Sequence, residues 1–318
     1  MTEPELHYVQ CPDAHGMHRM AYWQWGDPQG QALTVCVHGL SRQGRDFDVL
    51  AQALVAQYGT GARVVCPDVV GRGHSDWLKD PMAYQISTYV ADMACLLQQL
   101  HQQKPIACLD WVGTSMGGLI GMALCGTPNL ALPVPVRRLV LNDVGPVIQW
   151  QSLERIAAYL GKTMRFDSLE QAADALWAIS SGFGPHTRQQ WLALTRPMLK
   201  PHPAGGLLLH YDPAIAQPVR SLTREAAQQG EAVLWQLYDH ITAETLLLRG
   251  AQSDLLAAET AQQMTRRGPK ARCVEIAGVG HAPTLVQDDQ VACVLSFLQP
   301  TIHASERLPK PQPTDHTQ

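Results

Sequence analysis

Ser115 lies between glycines in the stretch GTSMG (residues 113–117), which matches the pattern G-x-S-x-G. A strand-like apolar run ends at Gly113 and a helix-compatible run begins near Ser115, so a tight strand-to-helix turn is predicted. Such a turn needs small neighbours because larger side chains would collide. The start of the helix also offers free N–H groups, which favour developing negative charge. The pattern therefore predicts a nucleophilic serine.

A serine hydroxyl becomes a strong nucleophile only when a base removes its proton and a third group orients that base. His281 is the candidate base, because it lies in the glycine-flanked stretch GVGHAP after the last strand-like run. Asp254 is the candidate acid, because it follows another strand-like run in RGAQSDLL. Ser115, Asp254 and His281 are therefore predicted to form a catalytic triad for acyl transfer.

The stretch CVHGLSRQGRDF follows an earlier strand-like run and is the candidate oxyanion loop. The backbone N–H groups of Leu40, in this loop, and of Met116, next to the serine, are predicted to face the developing oxyanion. Losing one such donor typically costs a factor of about 10²–10³ in rate. His38 begins the loop and is interpreted as a buried, hydrogen-bonded structural residue rather than a second base.

Short β-rich runs that alternate with helical patterns must position these residues. The strand-like runs are LTVCVHG, ARVVCPD, IACLDWVG and VRRLVLND, with apolar residues at helical spacing between them. Continuous apolar strands separated by helices indicate an α/β fold with a mostly parallel, doubly wound sheet covered on both faces. The earlier run MAYWQWGD is rich in β-type aromatic residues and predicts an antiparallel strand near the edge.

This alternation of strands and helices stops between about Gly145 and Arg220, where helical segments alternate with proline-broken stretches and no strand is predicted. It resumes with ETLLLRG and ARCVEIAG, and a closing helix follows. We therefore predict a core of residues 1–144 and 221–300 with a helical cap of residues 145–220. The last stretch, residues 301–318, is polar and proline-rich and is predicted to be disordered.

The composition is that of a globular protein of 318 residues, 46% hydrophobic and 16% charged, with room for one large domain and a cap. The net charge of −4 comes without a basic block, so nucleic acid is not an expected partner. Membrane insertion is not expected either, because no apolar stretch approaches the length of a span. The acidic, polar N-terminus does not resemble a signal peptide. The expected location is the cytoplasm, and the oligomeric state is left open.

The eight cysteines include no C-x-x-C pair, and most of them lie in strand-like or helix-like apolar runs. They are interpreted as buried reduced thiols rather than disulfide partners or metal ligands. His15 and His18 in the stretch HGMH are interpreted as part of a solvated loop. Neither a metal nor an organic cofactor is expected.

Taken together, these motifs resemble those of the α/β-hydrolase superfamily, and the resemblance covers nearly the whole chain. The matching stretches are HGL, DVVGRGHSD, GTSMGG, RGAQSDLL and GVGHAP. The resemblance implies the α/β-hydrolase fold, the chain order nucleophile–acid–base, and a cap inserted after LVLNDVGP that covers the active site. Some members carry the acid after that earlier strand, so Asp143 is kept as the alternative to Asp254.

Within the superfamily, the serine-nucleophile, cap-bearing, esterase-like branch fits best. The resemblance implies a hydrolase that cleaves a carboxylic ester of a small molecule, including a thioester or lactone, through an acyl-enzyme. Carbon–carbon bond hydrolases of ring-cleavage-type diketones share the SMGG motif but usually have a glycine-richer oxyanion loop and a tryptophan after the histidine. They are the first alternative. A non-catalytic ligand-binding protein on the same scaffold is the second.

Arg42 and Arg45 directly follow the oxyanion loop and are candidate substrate-binding residues. A guanidinium at the mouth of the pocket can hold a carboxylate with two parallel hydrogen bonds. That role would favour acidic esters such as short hydroxyacid oligomers or keto-acid compounds. The alternative is that the arginine stems pack against the cap while their charges face solvent. Some of the large side chains of the cap are expected to pack in its core and others to line the pocket, and periodicity cannot tell the two groups apart. These residues are Met164, Trp177, Phe183, Trp191 and Met198.

Overall fold

An eight-stranded sheet lies at the centre of the protein, as seen in a computed structural model that describes residues 3–59 and 61–299. The strands of the chain are β1 (Glu5–Asp13), β2 (Gly16–Gly26), β3 (Ala32–Val37), β4 (Ala62–Pro67), β5 (Cys108–Thr114), β6 (Val136–Asn142), β7 (Arg165–Phe166), β8 (Leu199–Pro201), β9 (Leu207–Leu209), β10 (Glu244–Gly250) and β11 (Arg272–Ile276). The order in the central sheet is β1-β2-β4-β3-β5-β6-β10-β11. Strand β2 is antiparallel to β1 and β4, and the remaining neighbours are parallel.

Helices connect the strands and cover the sheet. They are α1 (Asp48–Tyr58), α2 (Ile86–Gln103), α3 (Met116–Gly126), α4 (Trp150–Tyr159), α5 (Leu169–Ser180), α6 (Arg188–Thr195), α7 (Ala216–Ser221), α8 (Arg224–Asp239), α9 (Ala258–Met264) and α10 (Asp288–Leu298). Among the helices of the described ranges, none is both long enough and apolar enough to cross a bilayer.

The central strands are buried on both faces, which explains their continuous apolar sequences. On one face, Trp111 of β5 and Leu139 of β6 pack in a core that includes residues of α2, α3 and α8. On the other face, Val112 and Val140 of the same strands pack with residues of α1 and α10. The parallel strands therefore all end at one edge of the sheet, and the loops that leave this edge can meet at one site.

Between β6 and β10 the chain leaves the central sheet and forms α4 to α8 and a small antiparallel sheet in the order β7-β9-β8. No strand was predicted here, so these strands correct the sequence analysis. Each has only two or three residues, too few for an alternating pattern to be recognised. The predicted limits of the cap at 145 and 220 stay a prediction. Residues 300–318, with the predicted disordered tail, lie outside the described residues.

The HGMH stretch belongs to the hairpin of β1 and β2 rather than to a solvated loop. His15 is exposed at the turn, but His18 lies on β2 and is only 4% exposed. All eight cysteines are free, in agreement with the prediction of reduced thiols. Cys273 is exposed rather than buried, because β11 is the edge strand of the sheet.

Candidate active site

Ser115 lies at the turn from β5 to α3, as predicted, with φ 51° and ψ −115°. The glycines on either side are required by close backbone contacts. A Cβ on Gly113 would overlap the carbonyl oxygen of Gly117, and a Cβ on Gly117 would overlap that of Val37. A positive φ at a non-glycine residue persists only where the surrounding structure enforces it. This turn places the serine in the wall of a cavity at the carboxyl edge of the sheet.

His281 lies in the loop between β11 and α10 and reaches the serine. Its Nε2 is 2.9 Å from Ser115 Oγ, and its Nδ1 is 2.7 Å from Asp143 Oδ2. The neighbouring Gly280 donates its N–H to the carbonyl oxygen of Gly182 at 2.6 Å, which ties this loop to the insertion between β6 and β10. The imidazole thus joins a hydroxyl to a carboxylate, which is the arrangement that nucleophile, base and acid need.

Asp143 is the carboxylate beside this histidine. It immediately follows β6, has φ 54° and is fully buried. Its Oδ1 accepts a hydrogen bond from the Gly250 N–H at 2.8 Å, and its Oδ2 accepts one from Ser253 Oγ at 2.6 Å. Together with His281, three donors hold the carboxylate in one orientation.

Asp254 does not reach His281, so the prediction that it orients the histidine is corrected in favour of the alternative, Asp143. The Asp254 side chain is 54% exposed and pairs with Arg155 at 2.6 Å. Strands β6 and β10 are neighbours, so the loops after both strands approach the histidine and chain order alone cannot separate them. One signal was available. Asp143 immediately follows its strand, whereas Asp254 lies four residues beyond the end of β10.

The backbone N–H groups of Leu40 and Met116, both near Ser115, have no hydrogen-bond acceptor among the described residues. Leu40 belongs to the loop after β3, which lines the cavity beside the serine. Met116 is the first residue of α3, and the first N–H groups of a helix have no partner within it. Both predicted oxyanion donors are therefore available, and their binding of an oxyanion stays a prediction.

His38 lies in the candidate oxyanion loop and is a buried structural residue, as interpreted from the sequence. Its Nε2 accepts a hydrogen bond from the Val69 N–H at 2.9 Å, and its Nδ1 is 2.7 Å from the Gly39 carbonyl oxygen. Since the Val69 N–H can only donate, Nε2 is the acceptor and Nδ1 carries the proton. Burial, with a smaller contribution from nearby arginines, lowers the pKa of His38 to about 3. The ring is therefore neutral at ordinary pH.

Arg72 holds the other side of this loop and was not singled out in the sequence. It is fully buried, and its Nε donates to the Leu40 carbonyl oxygen at 2.8 Å. Its Nη1 donates to the Val70 carbonyl oxygen at 2.8 Å and to Tyr89 Oη at 3.0 Å. The guanidinium also lies over the rings of Tyr84 and Tyr89. The motif GRG locates this arginine, but no local pattern indicates the carbonyl group that it contacts.

Arg42 and Arg45 each form a bidentate ion pair within the protein. Nε and Nη2 of Arg42 are 2.6 and 2.7 Å from the Asp46 carboxylate, and the same atoms of Arg45 are both 2.7 Å from Asp48. Arg42 lines the cavity at the serine, and Arg45 does not. The paired hydrogen bonds proposed for a substrate carboxylate are therefore already made to neighbouring aspartates. A contact between Arg42 and substrate stays a prediction.

The cavity beside the serine is polar at its base and apolar on the side formed by the insertion between β6 and β10. The apolar side is formed by Leu160, Leu176, Ile179, Phe183, Leu194 and Met198. Phe183 and Met198 thus line the cavity. Trp177 and Trp191 instead pack edge to face within the insertion, with ring centres 5.0 Å apart, and Met164 is exposed. The insertion between β6 and β10 therefore supplies most of the apolar lining of the cavity.

The model of the alpha/beta hydrolase family matches residues 34–292, and the chain belongs to this family. The sheet, the serine at the turn from β5 to α3, and the long insertion after β6 agree with this assignment. The predictions of the family and of the fold are confirmed.

Relatives support the enzyme class. The 3-hydroxybutyrate-oligomer hydrolase of Cupriavidus necator is 49% identical over 299 residues, which cover 93% of this chain and 98% of that protein. An alpha/beta hydrolase structure from Novosphingobium aromaticivorans is 33% identical, with a TM-score of 0.77 over 93% of this chain and 98% of that one. A Rickettsia typhi protein structure is 27% identical, with a TM-score of 0.79 over 93% and 99%. The predicted class, a carboxylic ester hydrolase of the α/β-hydrolase type, is confirmed.

Proposed function

We propose that the protein hydrolyses its ester substrate with Ser115 as the nucleophile, through an acyl-enzyme. The observation that supports this best is the unbroken chain of hydrogen bonds from Ser115 Oγ through His281 to Asp143. This chain lies at the base of a cavity whose other side is apolar. Asp143, rather than Asp254, takes the role of the acid.

The proposed reaction has two acyl-transfer steps. His281 Nε2 takes the proton of Ser115 Oγ as that oxygen attacks the carbonyl carbon, and Asp143 stabilises the resulting imidazolium. The N–H groups of Leu40 and Met116 donate hydrogen bonds to the oxyanion of the tetrahedral intermediate. His281 then gives its proton to the leaving alcohol, and in the second step it activates the water that hydrolyses the acyl-enzyme.

The substrates that we propose are short oligomers of 3-hydroxybutyrate. The Cupriavidus necator relative, which is 49% identical along nearly its full length, is a hydrolase of such oligomers. Each unit of this oligomer carries a methyl branch on the carbon β to the ester carbonyl, so small apolar groups alternate with ester groups. The apolar cap side of the cavity suits the methyl-bearing segments, and the polar base suits the carbonyl group under attack.

A fluorophosphonate probe tests the proposed nucleophile. We expect the wild-type protein to be labelled at Ser115, with one label per active site, and the Ser115→Ala variant to remain unlabelled. The same substitution should lower kcat by a factor on the order of 10⁶. Absence of labelling in the folded wild-type protein would reject the serine mechanism and favour a non-catalytic ligand-binding role.

A substrate panel tests the proposed specificity. It contains the dimer and trimer of 3-hydroxybutyrate, p-nitrophenyl butyrate, a butyrate thioester, a lactone and a vinylogous 1,5-diketone. We expect the highest kcat/KM for a 3-hydroxybutyrate oligomer. A higher value for the thioester or the lactone would contradict the substrate proposal but keep the serine mechanism. Activity confined to the diketone would replace ester hydrolysis with carbon–carbon bond cleavage.

A further inference from the structure

A second cluster of reactive side chains lies outside the cavity, where the hairpin of β1 and β2 meets α2. Cys11 and His18 face each other across the two strands, and Asp92 approaches them from the helix. One ligand atom from each of the three lies within 4.8 Å of the others. All three residues are buried, with 0%, 4% and 1% of their surfaces exposed. The proposed ester hydrolysis uses none of them.

The imidazole of His18 is oriented as in many metal sites. Its Nδ1 is 3.2 Å from Asp13 Oδ2, at the end of β1, and its Nε2 is 3.1 Å from Asp92 Oδ2. Histidines that bind a metal through one ring nitrogen almost always donate the other N–H to a carboxylate, carbonyl or water. Asp13 is such an outer partner, and it directs Nε2 toward Asp92 and Cys11.

The carboxylate of Asp92 is only partly satisfied. Its Oδ2 contacts His18, whereas its buried Oδ1 has no hydrogen-bond partner among the described residues. A buried carboxylate oxygen without a partner is costly, and native structures contain few such atoms. A cation between Asp92, His18 and Cys11 would remove this cost.

A fourth donor lies next to the cluster. Cys95 follows Asp92 on the same face of α2, three residues along the helix, and its thiol is half-buried. Two thiols, one imidazole and one carboxylate form a donor set of the kind that zinc accepts in tetrahedral geometry. Soft sulfur ligands disfavour magnesium and calcium, which prefer oxygen.

We propose that Cys11, His18, Asp92 and Cys95 form a structural site for a divalent transition metal ion of the zinc type. On binding, each cysteine loses its thiol proton to solvent and coordinates as a thiolate, and His18 coordinates through deprotonated Nε2. Ligand distances of about 2.0–2.3 Å require the ligand atoms of Cys11, His18 and Asp92, which lie within 4.8 Å of one another, to move closer together, and they require the Cys95 thiol to turn toward them. With four protein ligands no position is open for substrate, so the ion ties the edge hairpin to α2.

Metal content and spectroscopy test this site. We expect the full-length protein to hold about one zinc ion per chain by mass spectrometry after dialysis against metal-free buffer. Apo-protein reloaded with Co²⁺ should show thiolate-to-cobalt charge-transfer absorption, and Zn²⁺ should raise the Tm of the apo-protein. The Cys11→Ser and His18→Asn variants should lose the stoichiometric zinc and the cobalt absorption. Cys95→Ser should weaken both.

Cys125→Ser is the matched control, because Cys125 is also a half-buried thiol on a core helix but lies outside the cluster. It should keep zinc and cobalt binding at the wild-type level. The proposal is overturned if the folded wild-type protein takes up no zinc and its cobalt form lacks the thiolate absorption. It is equally overturned if Cys11→Ser, shown to be folded by circular dichroism, binds as much zinc as wild type. None of these measurements depends on the proposed ester hydrolysis.

Discussion

At the scale of single residues, Ser115 and Asp143, the proposed nucleophile and acid, share an unusual backbone conformation. Both have positive φ, 51° and 54°, and both come directly after a parallel strand. Such conformations cost about 1–3 kcal/mol each and persist where surrounding contacts enforce them. At Asp143 the enforcing contacts include its N–H to the Leu248 carbonyl oxygen at 2.8 Å and the donors on its carboxylate. The turn after each strand thereby aims one functional group at His281.

The two candidate acids can be compared directly. Asp143→Asn should lower kcat by a factor on the order of 10⁴, because an amide no longer holds the histidine in the required tautomer. Asp254→Asn removes only a half-exposed ion pair with Arg155, so kcat and KM should stay near wild-type values. Steady-state kinetics of both variants on one ester decide between them. A large loss in Asp254→Asn with normal Asp143→Asn would reverse the assignment.

At the scale of elements, the loop after β4 supports the loop after β3 through Arg72. The guanidinium links the Leu40 and Val70 carbonyl groups, so it fixes the peptide unit next to the candidate oxyanion donor. No ion pair joins Arg72 to a carboxylate within residues 3–59 and 61–299. Its partners are carbonyl oxygens, a phenol and aromatic faces, which makes it a positioning residue rather than a charge partner.

Arg72→Lys should lower kcat about tenfold or more while changing KM little, because an ammonium cannot span both carbonyl groups and the oxyanion loop shifts. Arg63→Lys is the control, since Arg63 is also buried and hydrogen-bonds to Gln24 and to a backbone carbonyl away from the cavity. Both variants should lose Tm, but only Arg72→Lys should lose kcat. Equal Tm losses with unchanged kcat in both would show that Arg72 serves stability alone.

At the scale of the whole molecule, the segment of the insertion between β9 and α7 contacts the core beside this same loop. Gly73 donates its N–H to the His210 carbonyl oxygen at 2.8 Å, and Asp212 donates to that of Gly71 at 2.7 Å. Tyr84 Oη also donates to Asp212 Oδ2 at 2.6 Å. The loop after β4 therefore contacts both the candidate oxyanion loop and the insertion, and it links the two.

The pH dependence of global stability should report on the buried ring of His38. Its pKa is about 3 in the folded protein, below the ordinary value of 6.5, so the unfolded chain binds more protons between these limits. Stability is therefore lost as pH falls below 6.5. Because each pH unit corresponds to about 1.4 kcal/mol, the contribution should shrink by about 2 kcal/mol between pH 7 and pH 5.

The measurement is urea unfolding of wild type and His38→Gln at both pH values. Burial raises the pKa of Asp68 to about 6, which gives the opposite slope as pH falls below 6, but that contribution is common to both proteins and cancels in their difference. The stability advantage of wild type over His38→Gln should be smaller at pH 5. An advantage that is equal at the two pH values would mean that His38 keeps an ordinary pKa.

What could be predicted from the sequence was local in character. Ser115 and His281 could be predicted as nucleophile and base because each lies in a glycine-rich turn next to an apolar strand. Such a turn is recognised from residues that are adjacent in the chain. His38 was interpreted correctly for the same reason. The short strands β7 to β9 were missed because two or three residues carry no readable period.

The sequence by itself determined which candidate site residues follow which strand along the chain. Only the tertiary structure decided which of these distant groups are in contact. Asp143 rather than Asp254 contacts His281, because β6 lies beside β10 and the backbone after β6 directs the Asp143 carboxylate toward the imidazole. Arg42 meets Asp46 rather than open solvent. His18 is enclosed by the hairpin and α2 rather than solvated. Such contacts depend on how strands and helices pack, and the local sequence around each residue does not indicate which distant residue it will contact.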